Sequence, residues 1–365
     1  MADQGGFRYG SEGGLDRRGL LKLGAAAAAG LVAQRLGAAE EAAVRALPTA
    51  GAPWNPATAG AMPTRNLGRT GHRVGLFSLG GQAAIEQPHN ERVAIPIIER
   101  ALDLGVNYLD TSARYGGEAR WSEQYLGAVM QHRRHEAFLA TKTHDRTAEG
   151  SLRLLDRSLT LLKTDHVDLW QLHAMSTMDD VEKVFAKGGA LEAFQKARDQ
   201  KLVRFLGITG HTDPDVLAEA IRRFPFDTVL MAFNAADPHR HPFTKDLLPL
   251  AVEKGMGIIG MKIPARGRLL AGVQPPPPDR QRGTARHDRP GTLTMKEAMR
   301  YTLSHPVSTV IIGVDNVAQL EENVRIARDF LPLNAAQLDA LEQKVKPVYG
   351  QASWYKRDAP ANPGK

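Results

Sequence analysis

Cysteine is absent from all 365 residues. That absence excludes disulfides, thiolate-ligated zinc, iron–sulfur clusters and a lipid-modified N-terminal cysteine, while leaving the compartment open. Aromatic residues make up only 6% of the chain, and no Lys/Arg run is interleaved with them. A nucleic-acid surface is therefore disfavoured. The apolar stretch from Leu23 to Ala33 is too short to span a bilayer comfortably. Also missing is a G-x-G-x-x-G phosphate loop, since Gly80-Gly81-Gln82-Ala83-Ala84 stands where a doubly wound sheet would carry one.

What is present belongs to an ordinary globular protein. The chain is 42% hydrophobic and 24% charged, with room for a large core in one barrel domain or two smaller domains. A formal net charge of +7 suits an anionic ligand or a solvated basic surface.

The N-terminus is patterned. Asp16-Arg17-Arg18-Gly19-Leu20-Leu21-Lys22 precedes the apolar stretch, and Gly37-Ala38-Ala39 follows it. A positive segment, a moderate apolar run and a small-residue exit describe an export signal, and the paired arginines resemble the twin-arginine type. Residues 1–39 are read as that signal. That resemblance implies engagement of the twin-arginine machinery and a periplasmic destination, with the membrane met only in passing. Residues 40–64, rich in Ala, Pro, Gly and Thr, read as a linker.

From Arg65 onward apolar runs alternate with stretches of period 3.6. A short hairpin is expected at 65–74, turning at Arg69-Thr70-Gly71. Strands are expected at 76–80, 106–110, 137–142, 167–172, 203–208, 228–233, 257–262 and 309–312. Helices are expected at 90–104, 121–132, 148–162, 179–199, 214–223, 244–254, 294–304 and 317–330, with a last one near 335–346. Strand then helix, eight times, predicts a closed (β/α)8 barrel over 65–347, followed by a polar tail at 348–365. Residues 264–292, with Gln274-Pro275-Pro276-Pro277-Pro278, form a long loop after the seventh strand that reads as a lid or an insertion.

Four residues sit at or just beyond the ends of these runs: Asp110, Tyr115, Lys142 and His173. In a parallel barrel such positions converge at one mouth. A tyrosine of ordinary pKa about 10 is a weak acid; a neighbouring lysine ammonium is expected to lower that value, and a carboxylate to hold the lysine charged. An imidazole can hydrogen-bond a substrate oxygen or relay a proton. The set can protonate an oxygen that gains charge, but it supplies no hydride, so a nicotinamide or flavin is required.

Asp110-Thr111-Ser112-Ala113-Arg114-Tyr115-Gly116 and Ser122-Glu123-Gln124-Tyr125-Leu126-Gly127 together resemble a signature of the aldo-keto reductases. The likeness continues through Ala140-Thr141-Lys142, Leu162-Lys163-Thr164-Asp165-His166-Val167-Asp168-Leu169-Trp170-Gln171-Leu172-His173 and Ile312-Gly313-Val314, covering roughly 65–330. It implies a nicotinamide dinucleotide across the barrel mouth and interconversion of aldehydes or ketones with alcohols. Tyr115 would be the general acid, Lys142 and Asp110 would tune it, and His173 would orient the carbonyl.

The same resemblance assigns cofactor contacts to Gly81, Thr209, Gly210, Met231, Met261, Lys262, Gly313, Asn316, Gln319 and Asn323. Several depart from the family pattern. Thr209-Gly210 stands for a Ser-Asn pair, and Met231 for a glutamine that Asn234 could replace. Met261 stands for a stacking aromatic, and Lys262 could reach a phosphate or the substrate. Gly313-Val314-Asp315-Asn316-Val317-Ala318-Gln319 carries an acid and no base, so NADPH is expected from the family while NADH stays open; Arg325 or an arginine of 264–292 could still reach a 2′-phosphate. The altered pocket also admits a cofactor-binding barrel that turns over little, acting as a redox sensor or binding module. His239-Arg240-His241 lies in a loop after the sixth strand, away from where barrel hydrolases place their ligands, so no metal site is expected.

Overall fold

The computed structural model describes residues 62–277, 281 and 287–357. The export-signal reading of 1–39 and nearly all of the linker lie outside these residues. So do 278–280 and 282–286 of the long loop, and the tail beyond 357.

Ten strands are described. β1 (Thr64–Asn66) and β2 (Arg73–Gly75) pair antiparallel, with Arg65 opposite Val74. The remaining eight are β3 (Phe77–Gly80), β4 (Tyr108–Asp110), β5 (Phe138–Thr143), β6 (Val167–Leu172), β7 (Val203–Gly210), β8 (Thr228–Ala232), β9 (Gly257–Met261) and β10 (Thr309–Ile312). They follow one another in parallel and close, β10 pairing with β3, into a barrel. All eight expected strands are present, and the (β/α)8 reading holds.

The hairpin plugs the barrel floor. Leu67 and Val74 are fully buried among Tyr108, Phe138, Leu169, Leu230, Ile259 and Ile311, the apolar filling of the barrel. A side chain at Gly68 would collide with the backbone of Met256 and Gly257, so only glycine lets the turn seat against the foot of β9. Met62 and Pro63, expected in the linker, also pack here: Pro63 O accepts from Leu76 N at 3.0 Å, and Met62 is buried.

Alternation along the strands prepares the mouth. Successive side chains point to opposite faces, so the inward series Tyr108, Asp110 and Phe138, Ala140, Lys142 and Leu169, Gln171, His173 each rises from apolar floor to polar rim. Outward residues such as Leu139, Trp170, Leu206 and Met231 pack against the helices in a second, larger core.

Two expectations change. The helix read at 179–199 is two helices, Met178–Phe185 and Ala190–Asp199. They part at Gly188, φ 75°, and Gly189, whose missing side chain clears the carbonyls of Lys183, Val184 and Ala186. There the chain touches the loop after β5: Gly188 O accepts from Ala148 N at 2.7 Å, and Arg146 O from Ala190 N at 2.8 Å. The polar tail is in part a packed strap. Ala352, Ser353 and Lys356 are buried, Lys356 in an ion pair with Asp237. Among the described residues no helix is long and apolar enough to cross a membrane.

Candidate active site

Asp110 and Lys142 meet inside the rim as a buried ion pair. Lys142 Nζ also donates to Thr111 O at 2.8 Å, and Gln171 Nε2 donates to Asp110 Oδ1 at 3.1 Å. Burial pushes the carboxyl of Asp110 up and the ammonium of Lys142 down, and each partner's charge resists that pull. The Lys142 cation lies 4.9 Å from the ring centroid of Tyr115. The Tyr115 ring stands edge-on to His173 at 5.7 Å. All four predicted residues are therefore together.

The expected depression of the Tyr115 pKa is not found. Burial raises it well above its ordinary value, with Asp110 and Glu86 adding to the rise and Arg266 opposing it. Burial is the leading cause, and the Asp110 carboxylate paired with Lys142 adds to it instead of leaving the lysine to act alone. Tyr115 is thus fully protonated at neutral pH, and its hydroxyl is engaged by no described residue. It is a proton donor in waiting.

His173 is neutral. Burial and the charges of Lys142, His211 and Arg114 hold its pKa well below the ordinary value. Its Nδ1 lies 2.9 Å from Ser112 Oγ, which accepts from Arg114 N at 3.2 Å. The serine proton is then free for Nδ1, which places the imidazole proton on Nε2. A neutral imidazole in this tautomer donates to a carbonyl oxygen.

Beside Tyr115 and Asp110 opens a cavity of about 560 Å³. Of the ten predicted cofactor residues, Gly81, Met261, Lys262, Gly313, Gln319 and Asn323 line it. Thr209, Gly210, Met231 and Asn316 do not. Thr209 Oγ1 instead accepts from Ala174 N at 2.8 Å, fixing the loop after His173. Gly210 backs onto Leu217. Met231 faces the helices, and its neighbour Leu230 reaches the cavity, because β8 alternates. Asn316 spends its side chain accepting from Gln319 N at 2.9 Å, as the cap of helix Val317–Arg328.

Residues that the sequence reading left without a role also belong here. Ser112 and Gln171 hold His173 and Asp110. Arg266 and Glu86 line the cavity, and Tyr355 of the strap bonds Asn234 Nδ2 at 3.0 Å and stands edge-on to His211. Ser112 and Gln171 were visible as inward positions at strand ends; the strap carried no signal.

Comparison with known proteins agrees with this geometry. The family model described as "Aldo/keto reductase family" matches residues 73–346. The chain belongs to the aldo/keto reductase family. It is 30% identical to L-galactose dehydrogenase of Arabidopsis thaliana over 308 residues, covering 78% of this chain and 94% of the relative. It is 29% identical to an uncharacterised oxidoreductase, YqkF, of Bacillus subtilis, covering 75% and 92%. Among solved structures it resembles aldo-keto reductase AKR11C1 of Bacillus halodurans in its holo form, with a TM-score of 0.64 and 26% identity over 78% of this chain and 97% of that one.

The protein is thus a nicotinamide-dependent oxidoreductase acting on small carbonyl compounds or alcohols. Its cavity fits such a cofactor. The wall at Gly80 and Gly313 is bare backbone, Gly80 facing Gly313 N at 3.0 Å as a side chain would meet it. The start of helix Val317–Arg328 reaches the same cavity through Gln319, with Asp315 and Glu322 beside it. Arg266 and Lys262 put positive charge in the cavity wall. When bound, the reduced nicotinamide supplies hydride. Beside it, His173 and Tyr115 present a neutral imidazole and a protonated phenol, groups that can hold a carbonyl oxygen and give it a proton.

Proposed function

We propose that this enzyme reduces an aldehyde or ketone with NADPH outside the inner membrane, Tyr115 acting as general acid. The observation that supports the catalytic part is the Tyr115 ring, packed against both the Lys142 cation and the neutral His173, with its hydroxyl bonded to no described residue. Following nicotinamide absorbance with a panel of carbonyls tests it. Tyr115→Phe is expected to lower kcat by about 10²–10⁴-fold while the cofactor still binds. Turnover unaffected by that substitution would end the assignment.

NADH is a second reading of the cofactor. Asp315 and Glu322 line the end of the cavity beyond Gly313, and carboxylates there would repel a 2′-phosphate. Comparing kcat/KM for the two cofactors decides between them.

The export reading is supported by Arg17-Arg18 ahead of the apolar stretch. Paired Arg17→Lys and Arg18→Lys substitutions should retain the protein in the cytoplasm; unchanged fractionation would reject the route. Free nicotinamide cofactors are expected to be scarce beyond the inner membrane. Export therefore calls for a cofactor carried out with the folded protein, and the 264–292 loop is the segment that would retain it, since Arg266, Gly267, Leu270 and Val273 line the cavity. Nucleotide release after boiling of periplasmic protein tests this.

A further inference from the structure

Among the described residues three lysines have amines withdrawn from bulk water, and two of them have a carboxylate. Lys142 is paired with Asp110 and Lys356 with Asp237. The third is Lys262, half-buried at the end of β9 in the wall of the cavity that also holds Tyr115. Its amine makes no hydrogen bond or ion pair with any described residue.

This placement is enforced by the backbone. Lys262 adopts φ 63°, a left-handed conformation that costs a side-chain-bearing residue about 1 kcal/mol or more. The kink is held by its carbonyl, which accepts from Asn234 Nδ2 and from Ala265 N, both at 2.9 Å. Asn234 is anchored in turn by Tyr355 of the C-terminal strap. A lysine that only needed solvent would not require three segments of chain to aim it inward.

Its surroundings are positive. Arg266 and Lys142 act on it, and the Glu86 carboxylate opposes them; Glu86 itself accepts from Gln82 Nε2 at 3.2 Å. Burial and the two cations bring the Lys262 pKa down to about 8, so at neutral pH the amine is still mostly charged. His211, on the side of the strap, feels Lys262 as its first charged neighbour. A partly desolvated cation without a counter-ion gains most from a ligand that brings one.

We propose that Lys262 is the recognition point for an anionic group, a carboxylate, on the carbonyl substrate itself, so that the preferred substrates are oxo-acids rather than neutral aldehydes or ketones. The inference rests on the reductase reading above, which supplies Tyr115 as the point where the carbonyl oxygen docks. Tyr115 and Lys262 line the same cavity, and the two would grip opposite ends of one small molecule.

The test compares 4-carboxybenzaldehyde with its neutral isostere 4-carbamoylbenzaldehyde on the cofactor-loaded full chain. The wild type is expected to favour the carboxylate by about tenfold or more in kcat/KM, as a charged hydrogen bond provides. The preference should reside in KM, should collapse in Lys262→Met and should survive in Lys262→Arg. Equal kcat/KM for the two aldehydes in the wild type overturns the proposal whether or not the variants fold. So does a preference that persists in Lys262→Met while the cofactor Kd rises, which would make Lys262 a cofactor-phosphate contact. If neither aldehyde is turned over, the reductase reading fails separately. Calorimetric binding of benzoate against benzamide to the cofactor-loaded protein then still decides, tighter benzoate binding supporting the anion site and equal binding rejecting it.

Discussion

Gln171 donates from Nε2 to Asp110 Oδ1 at 3.1 Å inside the barrel, while the other oxygen of the same carboxylate holds Lys142. The aspartate is therefore gripped from two strands, β5 and β6, and its plane is fixed relative to the lysine that faces Tyr115. Gln171 and Lys142 are register partners across those strands, so the arrangement follows from the sheet itself. Gln171 is a positioning residue.

Gln171→Leu is expected to lower kcat by about tenfold, the worth of one hydrogen bond to a charged group, with the cofactor Kd unmoved. Because the aspartate would be freer to leave the lysine, the pH profile of kcat should shift as well. Steady-state kinetics across pH check this. A profile identical to wild type at reduced kcat would leave Gln171 a packing residue only.

Ser112→Ala removes the hydroxyl at 2.9 Å from His173 Nδ1. The imidazole then loses the partner that sets its tautomer, and Nε2 no longer reliably carries the proton. The expected result is a rise in KM for the carbonyl and a fall in kcat/KM of about tenfold, without loss of cofactor affinity. An unchanged KM would show that the ring is oriented by packing against Tyr115 instead.

Much of this site was legible because parallel barrel strands are buried on both faces and so read as continuous apolar runs. Phe138 to Thr143 and Val167 to Leu172 announce themselves, and the polar residue that closes each run marks the rim. Face is harder to read than position. Likeness to a motif makes Met231 a cofactor contact, yet strand alternation turns Leu230 inward and Met231 toward the helices. The helix break at Gly188-Gly189 was hidden because amphipathic spacing continues on both sides of it. The strap at 349–357 was invisible because its role is tertiary: nothing in Trp354-Tyr355-Lys356 says that Lys356 will find Asp237 more than a hundred residues upstream.

Stability should fall on acidification well above the carboxylate range. Burial is the leading cause that lowers the pKa of His72, His144, His173, His211, His287 and His305, His72 reaching about 4. Unfolded, each takes a proton near pH 6.5; folded, each refuses it until the pH is lower. The unfolded state thus binds more protons in that window, and stability that is full above pH 6.5 is lost as the pH falls toward 4. The urea midpoint is expected to drop between pH 7 and pH 5. His72→Phe, which keeps the stack on Phe138 at 4.6 Å between centroids, should flatten part of the slope. A midpoint that holds steady or rises over that range would contradict the assignment of these rings as neutral.

The strap depends on one buried charge. Lys356 Nζ meets Asp237 and donates to the carbonyls of Arg240 at 2.9 Å and His241 at 3.1 Å. Lys356→Met leaves the Asp237 carboxylate buried without its cation, a change that typically costs about 3–5 kcal/mol. The lower end is expected, because Phe243 N, Thr244 N and Thr244 Oγ1 still donate to it. Asp237→Asn in the same chain should recover part of the loss by removing the stranded charge. Release of the strap also frees Tyr355 from Asn234, and with it the support behind Lys262. Lys356→Met should therefore raise KM for the carbonyl at pH 7 even at temperatures where the protein stays folded. Urea titration and kinetics on one preparation test both halves, and a lower midpoint with an unchanged KM would confine the strap to stability.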